Sequence, residues 1–438
     1  MLKTILYMGA FSLALVIAPF SPILAAVVSL ESYLMHPVRV ARELPEFRYQ
    51  FWAALVFIFT VIIHQPRGLR AVANEARSLR ALWVYAVIGL LTPFWALVDA
   101  QIAFENSYEF AKTILLASLL ILVIRNERDL KIIMWASLIG VLHAAFMHTV
   151  GVDMGWVSRK FGRELGVLAD SQGAVMILFL PVFMLLTIYG KGRERWFAWL
   201  AIPFVMDSIV STYRRTFFVS LILQFALLII LLPWQVVRKM IVVLGVGVVL
   251  FVFVLTPQNY WDWMSTLTDP EEEGSAASRW VINDASWRML KDYPMGVGYR
   301  NYPAVSPQYL DESYLTDGER AAHSTFFTVA CETGVLGFAA WATAIVSTMM
   351  LLRTIRRRTN VFDPTRPEVF AMGIEIGMYG WLVSGLFHSA NEVDPVYWFV
   401  ALAVTLFRMQ QQAHDRRSRL NRVEDEPASP LELSASVA

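Results

Sequence analysis

Cysteine occurs once in the 438 residues, as Cys331, in an apolar run. That excludes an intrachain disulfide and a cysteine-rich metal centre. Charge is also scarce: Lys, Arg, Asp and Glu make up 17% of the chain against 57% hydrophobic residues, with a mean hydropathy of +0.51. Soluble domains carry about 25% charged residues, so water is not the main solvent of this chain. No cluster of His, Cys, Asp and Glu has metal-ligand spacing, and no Ser-His-Asp set follows from residue order. Neither a metal nor another cofactor is expected. The net charge of +1 gives no pointer to nucleic acid, and no such partner is expected. Without an internal repeat, the inverted-repeat architecture of many secondary transporters has little support.

What the sequence has is apolar length. Spanning a hydrocarbon core of roughly 30 Å takes about 20 apolar residues in a helix, because helices and closed barrels alone satisfy their own backbone there. Runs of this kind fall at about 4–30, 47–64, 79–98, 108–124, 130–150, 172–190, 196–212, 216–233, 240–256, 324–352, 368–388 and 395–408. Lys3 and the apolar residues after it also have the form of a cleaved signal peptide, with Leu24-Ala25-Ala26 at the cleavage position. The run is too long for that, and a first helix bent near Pro19 and Pro22 is the expectation. The 15 Trp and 15 Tyr suit the headgroup level of a bilayer.

Alternate loops collect the positive charge. Lys3, Arg67 to Arg80, Arg125 to Lys131, Lys191 to Arg195, Arg238-Lys239, Arg353 to Arg366 and the tail from Arg408 to Arg422 hold 23 of the 37 basic residues. By the positive-inside rule these loops and both termini are cytoplasmic. The connections around Asp99 to Glu105 and Glu392 to Asp394 have no basic residue and fall outside. The expectation is an all-α polytopic membrane protein with about twelve transmembrane helices. Residues 1–256 carry the first nine spans, 257–322 a large periplasmic loop, 323–408 the last three spans, and 409–438 a disordered cytoplasmic tail. Within the loop, after the acidic run Asp269-Pro270-Glu271-Glu272-Glu273, a helix is expected from about Ala276 to Lys291, ended by Tyr293-Pro294.

Charged groups at an outer helix end are costly and therefore candidates for function. Arg214 and Arg215, in STYRRTFF, stand in the short turn before the eighth span. Their guanidinium groups are suited to grip a diphosphate through paired hydrogen bonds; alternatively they cap the turn and reach to lipid phosphates. Arg279, Arg288 and Lys291 share the loop helix, and Arg300 follows a Gly-x-Gly turn. Arg288 and Lys291 fall on one face with Arg279 roughly on the reverse, and all of them also read as solvated loop charges. His323 stands at the mouth of the tenth span and Glu332 about two and a half turns inside it. The imidazole can accept a proton from a hydroxyl or serve a structural role, while Glu332 reads as a buried, hydrogen-bonded carboxyl. Gly334 and Gly337 allow close helix approach.

Together these segments resemble the O-antigen ligase and polymerase family. Arg279 precedes Pro294 by fifteen residues, PMGVGYRNY follows, and then AHSTFFTVACETGVLG. This is similar to the family pattern of Arg, Pro-x-Gly-x-Gly-x-x-x-Tyr/Phe, and His-Asn followed by Glu-x-Gly-x-x-Gly. GRELGVLADSQGAVMILFLP resembles the family's segment after the fifth span. Two positions depart: the family's Ser-Arg-Gly is Arg214-Arg215-Thr216 here, and Ser324 stands in place of asparagine.

The resemblance implies a GT-C-type, metal-independent glycosyltransferase of the bacterial inner membrane, working on the periplasmic face. Its donor would be a glycan on undecaprenyl diphosphate and its acceptor a sugar hydroxyl, of lipid A–core in a ligase or of a lipid-linked repeat in a polymerase. Arg215 with Arg214, and Arg279, would hold the donor diphosphate, with Arg288 and Arg300 as further diphosphate candidates. His323 would orient or deprotonate the acceptor, supported by Ser324 and Glu332. A secondary transporter, prompted by Lys112 and Glu332, and a polysaccharide-export subunit are the readings from other classes.

Overall fold

The computed structural model describes residues 2–35, 48–64, 77–149, 163–212, 214–250 and 274–425. The acidic run Asp269 to Glu273, the basic residues Arg67 and Arg70, and the end of the tail from residue 426 lie outside them. Among the described residues the chain is all-helical, with no strand. The helices are α1 (Leu2–Ile17), α2 (Pro22–Leu34), α3 (Tyr49–His64), α4 (Arg77–Leu91), α5 (Ala100–Val123), α6 (Glu127–Thr149), α7 (Arg163–Tyr189) and α8 (Arg193–Val210). They continue with α9 (Arg215–Leu231), α10 (Trp234–Leu250), α11 (Gly274–Asp292), the single turn α12 (Tyr302–Val305), α13 (Thr325–Arg358), α14 (Arg366–Ser384) and α15 (Asp394–Asp425).

The described part of each of the twelve apolar runs is mostly helix, while residues 47, 150 and 251–256 of these runs lie outside the described residues. By length and composition, four described stretches can cross a membrane: Ala100–Val123, Glu127–Thr149, Gln172–Tyr189 and Thr325–Arg358. The first run differs in detail from its expectation. Instead of one bent helix it holds two, divided by a 3-10 turn at Ala18–Phe20 and an extended Ser21. Pro19 and Pro22, both lacking an N–H, leave the helical ladder without donors at the division. The C-terminal departure is larger, because α15 runs on past Met409 to Asp425, through residues assigned above to a disordered tail. Gln, Arg, Ala and Leu in that stretch are strong helix formers continuing an established helix. In the loop, α11 covers Gly274 to Asp292, just beyond both ends of the expected helix.

Helix α7 lies at the centre, with 89% of its apolar window buried. Gly373 and Gly377 of α14 let the two backbones meet: a Cβ on Gly377 would lie 2.1 Å from the Leu178 carbonyl oxygen, and one on Gly373 2.7 Å from Val182 Cγ2. Small residues four apart give van der Waals contact where lipid supplies no hydrophobic drive between helices.

The two ends of the bundle differ in chemistry. One is rich in arginine. There Arg356 of α13 forks onto the fully buried Glu375 of α14, Nε to Oε2 at 2.7 Å and Nη2 to Oε1 at 3.2 Å. Arg366 pairs with Glu194, and Arg408 donates to the carbonyl of Ile124 at the end of α5 at 2.6 Å. Taking one partner from a buried ion pair strands a charge and costs roughly 3–5 kcal/mol. Glu375→Ala is therefore expected to lower the thermal midpoint in detergent sharply, whereas Arg356→Met combined with Glu375→Leu recovers most of it. At the opposite end, the N-termini of α9 and α13 and the connections after α4, α11 and α14 come together.

Candidate active site

Four segments far apart in sequence form the site at this second end. Arg214 is the N-cap of α9 and Arg215 its first residue. Arg279, half-buried on α11, holds its guanidinium carbon 5.4 Å from the ring centroid of Phe387, in the connection after α14. A cation over an aromatic face gains about 0.5–2 kcal/mol, and the contact fixes where the fork stands. Burial and then the charges of Arg215 and Arg214 lower the Arg279 pKa, which places the three arginines in one neighbourhood.

His323 lies two residues before α13, in a left-handed backbone conformation with φ of 48°. Histidine enters this region more readily than most residues, yet such a conformation still costs of order 1–3 kcal/mol and persists where surrounding structure over-determines it. The imidazole pKa is pushed down to about 4, first by burial and then by Arg320, His388, Arg214 and Arg279. Four guanidinium groups and two imidazoles thus share one electrostatic environment, which an anionic ligand would stabilise. The N-termini of α9 and α13 add the positive ends of two helix dipoles.

The family comparison falls on this geometry: residues 204–342 match the family model described as O-antigen ligase. Over this segment, about a third of its length, the chain is similar to the O-antigen ligase family. No curated protein matches the chain. That family is one of glycosyltransferase-like membrane enzymes, and the matched segment contains Arg214, Arg215, Arg279, Arg320 and His323.

The glycine motifs of the family segment interlock. Helix α13 kinks at Gly334, where φ is 71° and ψ −176°, and the loop Pro294 to Asn301 packs into the kink. A Cβ on Gly334 would meet the Met295 carbonyl carbon at 2.4 Å, and one on Gly296, itself at φ of 88°, the Gly334 nitrogen at 2.5 Å. Val297 N–H donates to the Cys331 carbonyl at 2.8 Å and Gly298 N–H to that of Glu332 at 3.2 Å. The Glu332 side chain is buried in α13 beneath this loop. On its other side the loop bonds to the turn after α4, Leu97 N–H to the Val297 carbonyl at 3.0 Å and Tyr299 N–H to Thr92 Oγ1 at 3.1 Å.

Gly334 therefore serves an approach of loop to helix, while Gly337, whose Cβ would lie 3.4 Å from Ile88 Cγ2, faces α4. Alanine at position 334 meets both a backbone clash and an unfavourable φ, a combination that costs more than about 1 kcal/mol. Gly334→Ala is expected to strip hydrogen-exchange protection from residues 294–302 before the rest of the bundle loosens.

Not every residue singled out from the sequence joins the arginine group. Arg288 bonds to Asp284 Oδ2 at 2.9 Å and to the Tyr309 carbonyl at 3.1 Å, on the exposed side of α11. Arg300, with φ of 60°, pairs with Glu392 and so ties the glycine loop to the connection after α14. Ser324 is buried as the N-cap of α13 and makes no side-chain capping bond. A cavity of about 660 Å³ at the arginine-rich end, lined by Arg125, Arg358, Gln410 and His414 among others, contains none of the site residues.

Sequence reasoning missed Arg320, Phe387, His388 and Glu392. The signal for Arg320 was its place three residues before His323 in the same loop. Glu392 stood in the connection after α14, noticed above for its lack of basic residues, whereas Phe387 and His388 were read as the end of the apolar run 368–388. That connection is held by Thr325, whose N–H donates to the carbonyls of Gly385 at 2.8 Å and His388 at 3.1 Å. The Thr325 hydroxyl donates to the His388 carbonyl at 2.8 Å and accepts from Ala390 N–H at 2.8 Å.

Proposed function

We propose that the chain is an O-antigen ligase-like glycosyltransferase that moves a glycan from undecaprenyl diphosphate to a sugar hydroxyl on the periplasmic side of the inner membrane. The observation that carries the reading is the meeting of Arg214, Arg215, Arg279 and His323, from three separate segments, at one end of the bundle. The basic loops at the opposite end support the orientation, since the positive-inside rule assigns them to the cytoplasm.

In this reading the arginines hold the donor diphosphate by charge-assisted hydrogen bonds. The acceptor oxygen bonds to the anomeric carbon as the bond from that carbon to the phosphate oxygen breaks, and the electron pair leaves with the diphosphate. His323, neutral at physiological pH because its pKa lies near 4, takes the acceptor's proton and passes it to solvent. Guanidinium groups fixed where charge grows lower the barrier without reorganising. No step uses a metal.

The test is reconstitution. Purified protein in lipid nanodiscs receives undecaprenyl-diphosphate-linked glycan and, separately, lipid A–core or a second lipid-linked repeat. Glycosylated lipid A–core indicates a ligase, and a lengthened lipid-linked glycan a polymerase. Absence of both products, with intact donor recovered, sinks the proposal.

A further inference from the structure

The site has a side that the family-matched segment does not contain. That segment ends at residue 342, yet the connection after α14 lies against both arms of the cation group. Phe387 carries the Arg279 guanidinium. The His388 ring meets Phe217, two residues into α9 from Arg215, edge to face with centroids 6.2 Å apart. His388 is also near enough to His323 to depress its pKa, ranking second among the charges after Arg320. The backbone of the connection is fixed in this place, because Thr325 bonds to it on three sides and Ser389 Oγ meets Thr328 Oγ1 at 2.9 Å. A loop that served only to join two helices would not need its histidine held between the N-termini of α9 and α13.

We propose that His388 is a further donor-binding residue, giving an imidazole N–H to a phosphate oxygen of the lipid diphosphate beside Arg215. This rests on the donor reading above and adds a group that the family segment lacks. The chemistry suits the position. An imidazole in either protonation state keeps at least one N–H to donate, and that N–H adds a directed hydrogen bond to an anion already flanked by guanidinium forks. Its packing on Phe217 orients the ring, so little freedom is lost when the ligand arrives. His323 remains free to face the acceptor, and the two histidines divide the substrates between them.

Full-length protein in nanodiscs is titrated with undecaprenyl diphosphate, and the KM values for donor and acceptor are measured separately in the transfer assay. A hydrogen bond to a charged ligand contributes about 1.5–3 kcal/mol, so His388→Phe is expected to weaken undecaprenyl diphosphate binding by roughly 10- to 100-fold. That variant keeps an aromatic ring against Phe217 but has no donor. The donor KM should rise with the loss, and the acceptor KM should stay put. His388→Gln, which retains an N–H, is expected to recover most of the affinity. Wild-type binding by His388→Phe, or equal loss in the Phe and Gln variants, overturns the assignment. Arg279→Ala separates the two levels of the argument: if it too binds undecaprenyl diphosphate like wild type, the donor reading itself has failed. If Arg279→Ala loses binding and His388→Phe does not, the role of His388 alone is wrong.

Discussion

Replacing Arg279 by alanine is expected to slow glycan transfer by roughly 10²- to 10³-fold, the cost of removing one preorganised donor from a developing negative charge. The residue is suited to this role by what surrounds it. Its guanidinium rests on the Phe387 ring, and its pKa is lowered by burial and by Arg215 and Arg214. A cation held against other cations meets in the diphosphate the partner that relieves the repulsion, and the relief grows as charge moves onto the leaving oxygen. Lysine should rescue poorly: it keeps the charge but lacks the planar fork and stacks less well on an aromatic face. The fold should survive, because α11 is anchored by other residues. Ile282, Ala285, Ser286 and Met289 form its buried face, Ser286 Oγ meets the Tyr302 hydroxyl at 2.7 Å, and Cys331 Sγ donates to the Ser286 carbonyl at 3.3 Å. The measurement is initial rate at saturating donor and acceptor, beside the thermal midpoint of each variant. A normal rate for Arg279→Ala would remove the arginine-assisted departure of the diphosphate.

Helix content was legible in the sequence because every apolar run is bounded by charge, proline or glycine, and local composition decides whether such a run is helical. The divided first run and the long α15 were read less well, since each turns on how a helix ends. Two prolines break α1 from α2, while nothing in Gln410 to Asp425 stops a helix already under way. Residue types at the site were legible too, because arginine and histidine at apolar helix ends are costly enough to stand out. Their grouping was not legible from spacing, by which Arg279, Arg288 and Arg300 were equal candidates; the family resemblance drew Arg214, Arg215, Arg279 and His323 together, and the fold commits Arg288 to Asp284 and Arg300 to Glu392. His388 is the clearest case: Thr325 reaches across 63 residues to hold its carbonyl, a contact with no signature in local sequence. The motif glycines were read as aids to helix packing, and Gly337 agrees. Gly334 instead receives a loop, because a positive φ inside α13 opens the ladder to the backbone of Pro294 and Met295.

The acid limb of transfer should not lie where an ordinary histidine would put it. With its pKa pushed down to about 4, His323 in the free enzyme stays neutral, and so able to accept a proton, down to about pH 5. A pH profile of kcat/KM reports groups of the free enzyme, and is expected to show no loss attributable to His323 near 6.5. The profile of kcat reports the substrate-bound state. There the diphosphate offsets Arg214, Arg279 and Arg320, three of the charges that depress the imidazole, so its acid limb should move to higher pH than that of kcat/KM. The base would thus gain strength only once the donor is in place, which favours donor binding before proton removal from the acceptor. Stability follows the same group with a fixed sign. Above the unfolded histidine value near 6.5 both states are neutral and the contribution is whole. As pH falls from there toward 4 the unfolded chain takes up a proton that the folded one refuses, so stability declines through that window and the contribution is gone below it. His323→Gln should flatten the fall in thermal midpoint between pH 6.5 and 4.5, and should cost transfer roughly 10²- to 10⁴-fold as a lost general base. A kcat/KM profile with its acid limb at 6.5, abolished in His323→Gln, would show that the surrounding cations do not govern the imidazole.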